Sequence, residues 1–233
     1  MRKNRKRLTV RERVVRWVYP AHCALCDRIL NGREKGLCAS CRKRVRITGP
    51  GFENGIAAFP YKGVYRDAVK RFKYSGRAEY AAFFAEAIAQ AMKRDWQGLP
   101  FERGIIQTDG WRPDVLVPVP VHRRRFLERG YNQAEELARE LGKILRVPCE
   151  ARLVVRVKNT KPQNGLVPEQ RKANVKNAFA VRKGVPVPEK ILLVDDIYTT
   201  GSTRKEMERI LYACGVREVR MVCICLASPS EHI

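Results

Sequence analysis

Hydrophobic residues recur along this chain at two spacings, and the changes between them mark its elements. From Glu79 to Lys93, residues Ala81, Phe84, Ala85, Ile88, Ala91 and Met92 fall three or four apart, which predicts one buried stripe of a helix. Ala134, Leu137, Ala138, Leu141 and Leu145 repeat that spacing behind Asn132 and Glu135, which have the form of a capping box. A third stripe, Met207, Ile210, Leu211 and Cys214, follows Thr203 and Glu206 in the same form and ends at Gly215. A shorter basic helix is predicted in "GVYRDAVKRFKYSGR", ending near Gly76. Between these lie apolar runs of strand length: "IAAFPY" (56–61), "DVLVPVPVH" (114–122), "RLVVRV" (152–157), "KILLV" (190–194) and "EVRMVCICLA" (218–227). The run "ILLV" is apolar at every position, the pattern of a strand covered on both faces. Pro118 and Pro120 turn the second run into a constrained loop, because proline cannot donate to a central ladder.

Strands alternating with helices predict an α/β domain with a mainly parallel sheet. Ligands bind at the carboxyl ends of strands in such sheets, and both "VPVPVHRRR" and "VDDIYTTGST" fall at such ends. The turn-rich "TGPGFENG" (48–55) divides a small module, 1–50, from the larger domain, 55–233. Two polar stretches lack apolar periodicity: about 97–113, and "KNTKPQNGLVPEQRKANVKN" (158–177), with five Lys/Arg against one acid.

Charge sharpens this division. The chain of 233 residues has 47 Lys+Arg against 24 Asp+Glu, a formal net charge of +23. Residues 1–46 hold 15 of those cations and three acids (Glu12, Asp27, Glu34), so about half the excess sits there. Such an excess favours a polyanionic partner, either nucleic acid or a phosphate-rich small molecule. The basic start lacks the apolar stretch of a secretion signal, and no run approaches the ~20 apolar residues of a membrane span, so a cytoplasmic protein is expected.

Eight cysteines in a cytoplasmic chain argue against a disulfide framework. Cys23, Cys26, Cys38 and Cys41 form two Cys-x-x-Cys turns separated by eleven residues, a spacing that converges four thiolates on one tetrahedral zinc ion. Four thiolates also suit iron. The intervening "DRILNGREKGL" is too polar to build a core, so metal binding would supply its folding energy. His22 is a neighbour of this set, and Arg42, Lys43, Arg44 and Arg46 extend its basic character. Cys149, Cys214, Cys223 and Cys225 are expected to be small buried apolar residues.

The densest chemistry lies in "ILLVDDIYTTGST" (191–203). "TTGST" opens a helix, where free backbone N–H groups and the dipole favour an anion. Gly201 permits a tight wrap, and Thr199, Thr200, Ser202 and Thr203 supply hydroxyl donors. Upstream, Asp195 and Asp196 are acceptors for a sugar cis-diol or a hard divalent cation. The combination suits a ribose 5-phosphate. The acid pair of a nucleotide hydrolase would require a Gly-x4-Gly-Lys-Ser/Thr loop, and a dinucleotide fold a Gly-x-Gly-x-x-Gly turn; the chain has neither. A plain capped helix after a strand is the remaining alternative.

This stretch resembles the phosphoribosyl pyrophosphate (PRPP) signature of type I phosphoribosyltransferases. With "VPVPVHRRRFLERGYNQAEELA", "QNGLVPEQRKANVKNAF" and the four-cysteine knuckle, the chain is similar to the competence protein F family over nearly its whole length. The resemblance implies a phosphoribosyltransferase-type sheet with a small zinc module. Asp195 and Asp196 would take the ribose hydroxyls, with magnesium bridging to the pyrophosphate, and Thr199 to Thr203 the 5-phosphate. Arg123 and Arg124 would face the pyrophosphate, and residues 158–176 would form a hood in which Lys161, Arg171 or Lys172 stabilises departing charge. Purine-salvage relatives carry an acid where this chain has Thr199, so no general acid/base is identified. The family's link to natural transformation implies single-stranded DNA handling and a competence helicase partner, with Trp17 and Tyr19 flanking the knuckle. The alternative is an active transferase of nucleotide metabolism acting on an unidentified base or amine.

Overall fold

The computed structural model describes residues 20–95, 111–158, 160 and 168–227. The basic opening arm with Trp17 and Tyr19, and Lys161 in the hood, lie outside the described residues. The elements run α1 (Ala39–Arg44), β1 (Gly51–Phe52), β2 (Gly55–Pro60), α2 (Gly63–Tyr74), α3 (Tyr80–Asp95), β3 (Val115–Pro118) and α4 (Arg123–Arg129). They continue as α5 (Gln133–Leu145), β4 (Val154–Arg156), α6 (Pro168–Val175), β5 (Phe179–Val181), β6 (Lys190–Tyr198), α7 (Ser202–Tyr212) and β7 (Glu218–Leu226).

Five strands form one sheet in the order β1-β2-β7-β6-β3. β2, β7, β6 and β3 are mutually parallel, and the short β1 adds an antiparallel edge. The expected α/β fold with a mainly parallel sheet is therefore present. "RLVVRV" does not join it: β4 pairs antiparallel with β5 in a separate ribbon, consistent with its half-polar face.

Strand alternation sorts the apolar run of β6 onto two faces. Leu192 and Val194 enter a core with α3 and α5, through Phe84, Ile88, Leu137 and Leu141. Ile191 and Leu193 enter a second core with Met207 and Leu211 of α7 and with Leu153 and Phe179 of the ribbon. The sheet is thus covered on both sides, which is why its central strand has no polar residue between Ile191 and Asp195.

Helix starts and ends depart from expectation at two places. Asn132 caps α5 as expected, accepting from the Ala134 N–H at 3.1 Å, but Glu135 is drawn to Arg139. The box at Thr203 and Glu206 does not form. α7 begins at Ser202 behind Gly201, and Glu206 instead accepts the Asn177 N–H at 2.7 Å and pairs with Arg209. Cys214 lies past the end of α7 and is exposed, and Cys149 is half-buried, so of the four only Cys223 and Cys225 are fully buried apolar cysteines.

The knuckle does not stand apart from the larger domain. Leu25, Leu30 and Leu37 share the core that holds Phe59, Phe72 and Phe84. Polar ties follow the same seam: the Tyr80 hydroxyl donates to Asp27, Arg77 pairs with Asp27 at 3.3 Å, and Arg71 donates to the Leu25 carbonyl. Removing part of this packing should therefore be felt by the sheet. Leu25→Ala is expected to cost about 2–5 kcal/mol, as other buried leucine truncations do, and to lower one cooperative unfolding transition. Denaturant unfolding followed by circular dichroism checks this; an α/β transition with an unchanged midpoint would contradict the shared core.

Candidate functional site

The four cysteines of the knuckle meet as their spacing predicts. All four sulfur atoms lie within 4.8 Å of one another, and none is in a disulfide. A tetrahedral ion about 2.3 Å from each sulfur requires separations of about 3.8 Å. Cys26 and Cys38 sit at 3.8 Å. The Cys38 N–H donates to Cys23 Sγ at 3.3 Å and the Cys41 N–H to Cys38 Sγ at 3.4 Å, which stabilises thiolate charge. Burial opposes ionisation of Cys38, but the Cys41 N–H, the Cys41 thiol and Arg28 outweigh it and hold the thiol down at about 6. His22 is engaged elsewhere, with Nδ1 at 3.1 Å from Arg77. The donor set fits structural zinc.

A second site opens at the carboxyl ends of β3 and β6, around a cavity of ≈ 470 Å³. The loop leaving β3 is held open by Asn132, whose Nδ2 donates to the Val119 carbonyl at 3.2 Å, while the Val119 N–H donates to the Val194 carbonyl at 2.9 Å. Asp195 and Asp196 both line the cavity. Asp196 continues the Leu192 and Val194 face, where the last turn of α2 brings Lys73 Nζ to 2.9 Å from its Oδ2. Burial would lower Lys73, but Asp196 outweighs it and raises the ammonium above the usual lysine range. Asp195 accepts the Asp196 N–H at 2.8 Å and has no ion pair among the described residues. Burial, and then the charge of Asp196, push its carboxyl up to about 8.

The anion-binding features lie on either side of this pair. Gly201 has φ +73°, and a Cβ there would collide with the Tyr198 hydroxyl, so only glycine fits. No side chain caps the start of α7, which leaves its first N–H groups directed at the cavity edge beside Ser202 and Thr203. Thr200 Oγ1 lies 2.8 Å from Ser202 Oγ. Arg125, Arg129 and Arg156 also line the cavity, with Arg156 near enough for its charge to act on Asp195. Burial and the neighbouring Arg125 pull Arg156 down to about 10, and burial with Arg129 lowers Arg125. The charges of Arg129 on Arg125 and of Arg125 on Arg156 show these guanidinium groups to be close together, with Glu128 among them.

Thr199, Gly201, Ser202, Thr203, Asp195 and Asp196 therefore line one cavity, whereas Thr200 does not, and neither do Arg123 and Arg124. The segment they belong to is the helix α4, and Arg125 and Arg129, four apart, share the face turned inward. Arg124 pairs with Glu128 at 3.2 Å on an exposed face. Arg171 and Lys172 lie in α6, which packs beside α7, and Lys172 is exposed. Sequence reasoning missed Arg125, Arg129, Arg156 and Lys73. The first two carry an i, i+4 signature in "RRRFLER", and Arg156 is the odd charge in "RLVVRV"; Lys73 carries no local sign.

The raised carboxyl has a consequence for stability. An aspartate at about 8 in the folded chain releases its proton near ~3.9 when unfolded, so between those values the folded state holds the extra proton. Stability of the ligand-free protein therefore falls as pH rises through that window. Melting temperatures of the zinc-loaded protein should fall between about pH 5 and 8, more steeply than in Asp195→Asn. Parallel curves would contradict the assigned environment.

Residues 97–232 match the phosphoribosyl transferase domain family, and residues 14–51 match the double zinc ribbon domain family. Among curated proteins, the chain is 41% identical to competence protein F of Haemophilus influenzae over 111 residues, which cover 47% of this chain and 48% of that protein. It is 29% identical to the DNA utilization protein YhgH of Salmonella typhi, covering 88% and 97%. Competence protein ComFC of Streptococcus pneumoniae is 25% identical over 85% and 84%. Solved structures include a purine phosphoribosyltransferase from Pyrococcus horikoshii at 15% identity and TM-score 0.33, covering 66% of this chain and 78% of that one. A Trypanosoma cruzi hypoxanthine phosphoribosyl transferase matches at 14% and 0.39, covering 67% and 69%. By the match across more than half its length, the chain belongs to the phosphoribosyl transferase domain family, with competence protein F, ComFC and YhgH as relatives.

Proposed function

We propose that the protein binds PRPP with magnesium in the cavity at the ends of β3 and β6, and serves DNA uptake in natural transformation by handling single-stranded DNA. The observation that carries the first part is the lining of one ≈ 470 Å³ space: an acid pair, a glycine turn with helix-start donors, and arginines including Arg125, Arg129 and Arg156. In this reading Asp195 and Asp196 accept the ribose hydroxyls, and the turn at Thr199 to Thr203 donates to the 5-phosphate. Arg125, Arg129 and Arg156 face the pyrophosphate, where guanidinium forks match phosphate oxygens. The hard carboxylate oxygens fit magnesium, which Asp195, without an ion pair among the described residues, would help to hold and which would supply charge to offset the pyrophosphate.

The match to a transferase family supports a second reading, turnover of PRPP onto a base or amine with release of pyrophosphate. Thr199 stands where an acid would act on a purine, and without that acid no general acid/base for an acceptor is identified from the sequence. We therefore assign binding and leave transfer to the assay. The relatives named for competence and DNA utilization support the DNA role. So does the exposed basic run Arg42, Lys43, Arg44 and Arg46, which ends the knuckle without an acid among them. A competence helicase is the partner proposed for this role, in the cytoplasm, where the free thiols stay reduced.

Two measurements test these assignments. Isothermal titration with PRPP should give tight binding that strengthens with magnesium and is lost in Asp195→Asn/Asp196→Asn; unchanged affinity in that variant would remove the acid pair from the site. Pyrophosphate release across a panel of bases and amines decides between binding and turnover. For DNA, the triple variant Lys43→Ala, Arg44→Ala, Arg46→Ala should bind oligothymidylate more weakly, with a salt slope reduced by roughly 0.7 for each phosphate no longer neutralised. Affinity and slope equal to wild type in fluorescence anisotropy would move DNA binding off the knuckle.

A further inference from the structure

The acid pair is compensated unequally. Asp196 has an ammonium 2.9 Å away, and that pair is largely withdrawn from solvent, with side-chain exposures of 18% for Lys73 and 12% for Asp196. Asp195, on the preceding residue, accepts a backbone N–H at 2.8 Å and has no ion pair among the described residues, with the charges of Lys73 and Arg156 acting on it from farther off. The lysine is not a mobile surface cation that happens to reach the site. The Tyr131 hydroxyl donates to the Phe72 carbonyl and Gln133 Nε2 to the Lys73 carbonyl at 3.4 Å, so the start of α5 pins the last turn of α2 from which Lys73 extends. Phe72 itself is fully buried.

We infer that Lys73 acts as a resident second cation of the acid pair, fixing Asp196 as a charged acceptor, so that the cavity takes one magnesium ion, not two, with PRPP. This rests on the PRPP reading above. Two adjacent carboxylates beside a pyrophosphate need cations, and divalent ions on both would be the usual solution. Here a divalent ion at Asp196 would have to displace the Lys73 ammonium from its ion pair, whereas Asp195 has no ion pair to break among the described residues. Lys73 is thus a positioning residue: it touches Asp196 and sets how many ions the site holds. A merely structural ion pair would leave the ion count unchanged when it is removed.

The test counts metal directly. Zinc-loaded protein with saturating PRPP is titrated with manganese(II), and the ions retained with the chain are measured by equilibrium filtration and electron paramagnetic resonance. Wild type is expected to retain one manganese ion per chain. Lys73→Met should retain two, and its PRPP affinity at limiting manganese should be weaker by about tenfold or more and recover as manganese is raised. Lys73→Arg, which keeps the charge, should retain one. Two ions in wild type, or one ion with unchanged affinity in Lys73→Met, would overturn the inference. The wild-type count stands even where a variant fails to fold. PRPP that does not bind wild type at all would overturn the underlying reading, an outcome distinct from binding with two ions.

Discussion

Two carboxylates on consecutive residues at the end of a strand buried on both faces impose the constraint that organises this molecule. They have little bulk water to share their charge, and the fold answers with cations from separate elements. Both acids line one cavity, and the Lys73 charge acts on both, but it forms its ion pair with Asp196 alone. α2 supplies Lys73 to Asp196, and the β4–β5 ribbon supplies Arg156 on the side of Asp195. α4 adds Arg125 and Arg129 to the cavity lining. What remains is an excess of positive charge facing a half-compensated acid pair, the condition in which a polyanion carrying a diol and a divalent cation is favoured together.

The knuckle enters this account through α2. Arg71, which donates to the Leu25 carbonyl, and Arg77, which meets Asp27 and His22, bracket Lys73 in sequence. The zinc-fitting cluster and the acid pair are thus joined by one helix end and by one apolar core. The knuckle, which sequence alone suggested was too polar to build a core, buries Leu25, Leu30 and Leu37 in the core shared with α2 and α3. The segment that carries Arg42 to Arg46 follows directly on this shared packing, which ties the proposed DNA surface to the proposed PRPP cavity.

Much of this was legible from residues whose signal is local. The stripes of α3 and α5 and the apolar run of β6 fixed their own burial, since a period of 3.6 or an unbroken apolar strand leaves few alternatives. The cysteine spacing and the Asp195 to Thr203 turn were equally readable, because their chemistry is carried by neighbours in sequence. Contacts across long separations were not. Lys73 meets Asp196 through the docking of α2, which no local pattern announces, and Glu206 abandons its expected cap for Asn177 on a different element. Arg123 and Arg124 are chemically equivalent to Arg125, and only the rotation of a short helix decides which side chain faces the cavity.

The central claim is that one cavity grips PRPP at both ends, by the turn before α7 and by the face of α4. Amide hydrogen exchange of the zinc-loaded chain, with and without magnesium and PRPP, reads this most directly. The account predicts slowed exchange in two separate segments, Thr199 to Lys205 and Arg125 to Arg129, together and only with PRPP present. Slowing confined to the knuckle, or absent from both segments while PRPP is bound, would contradict it.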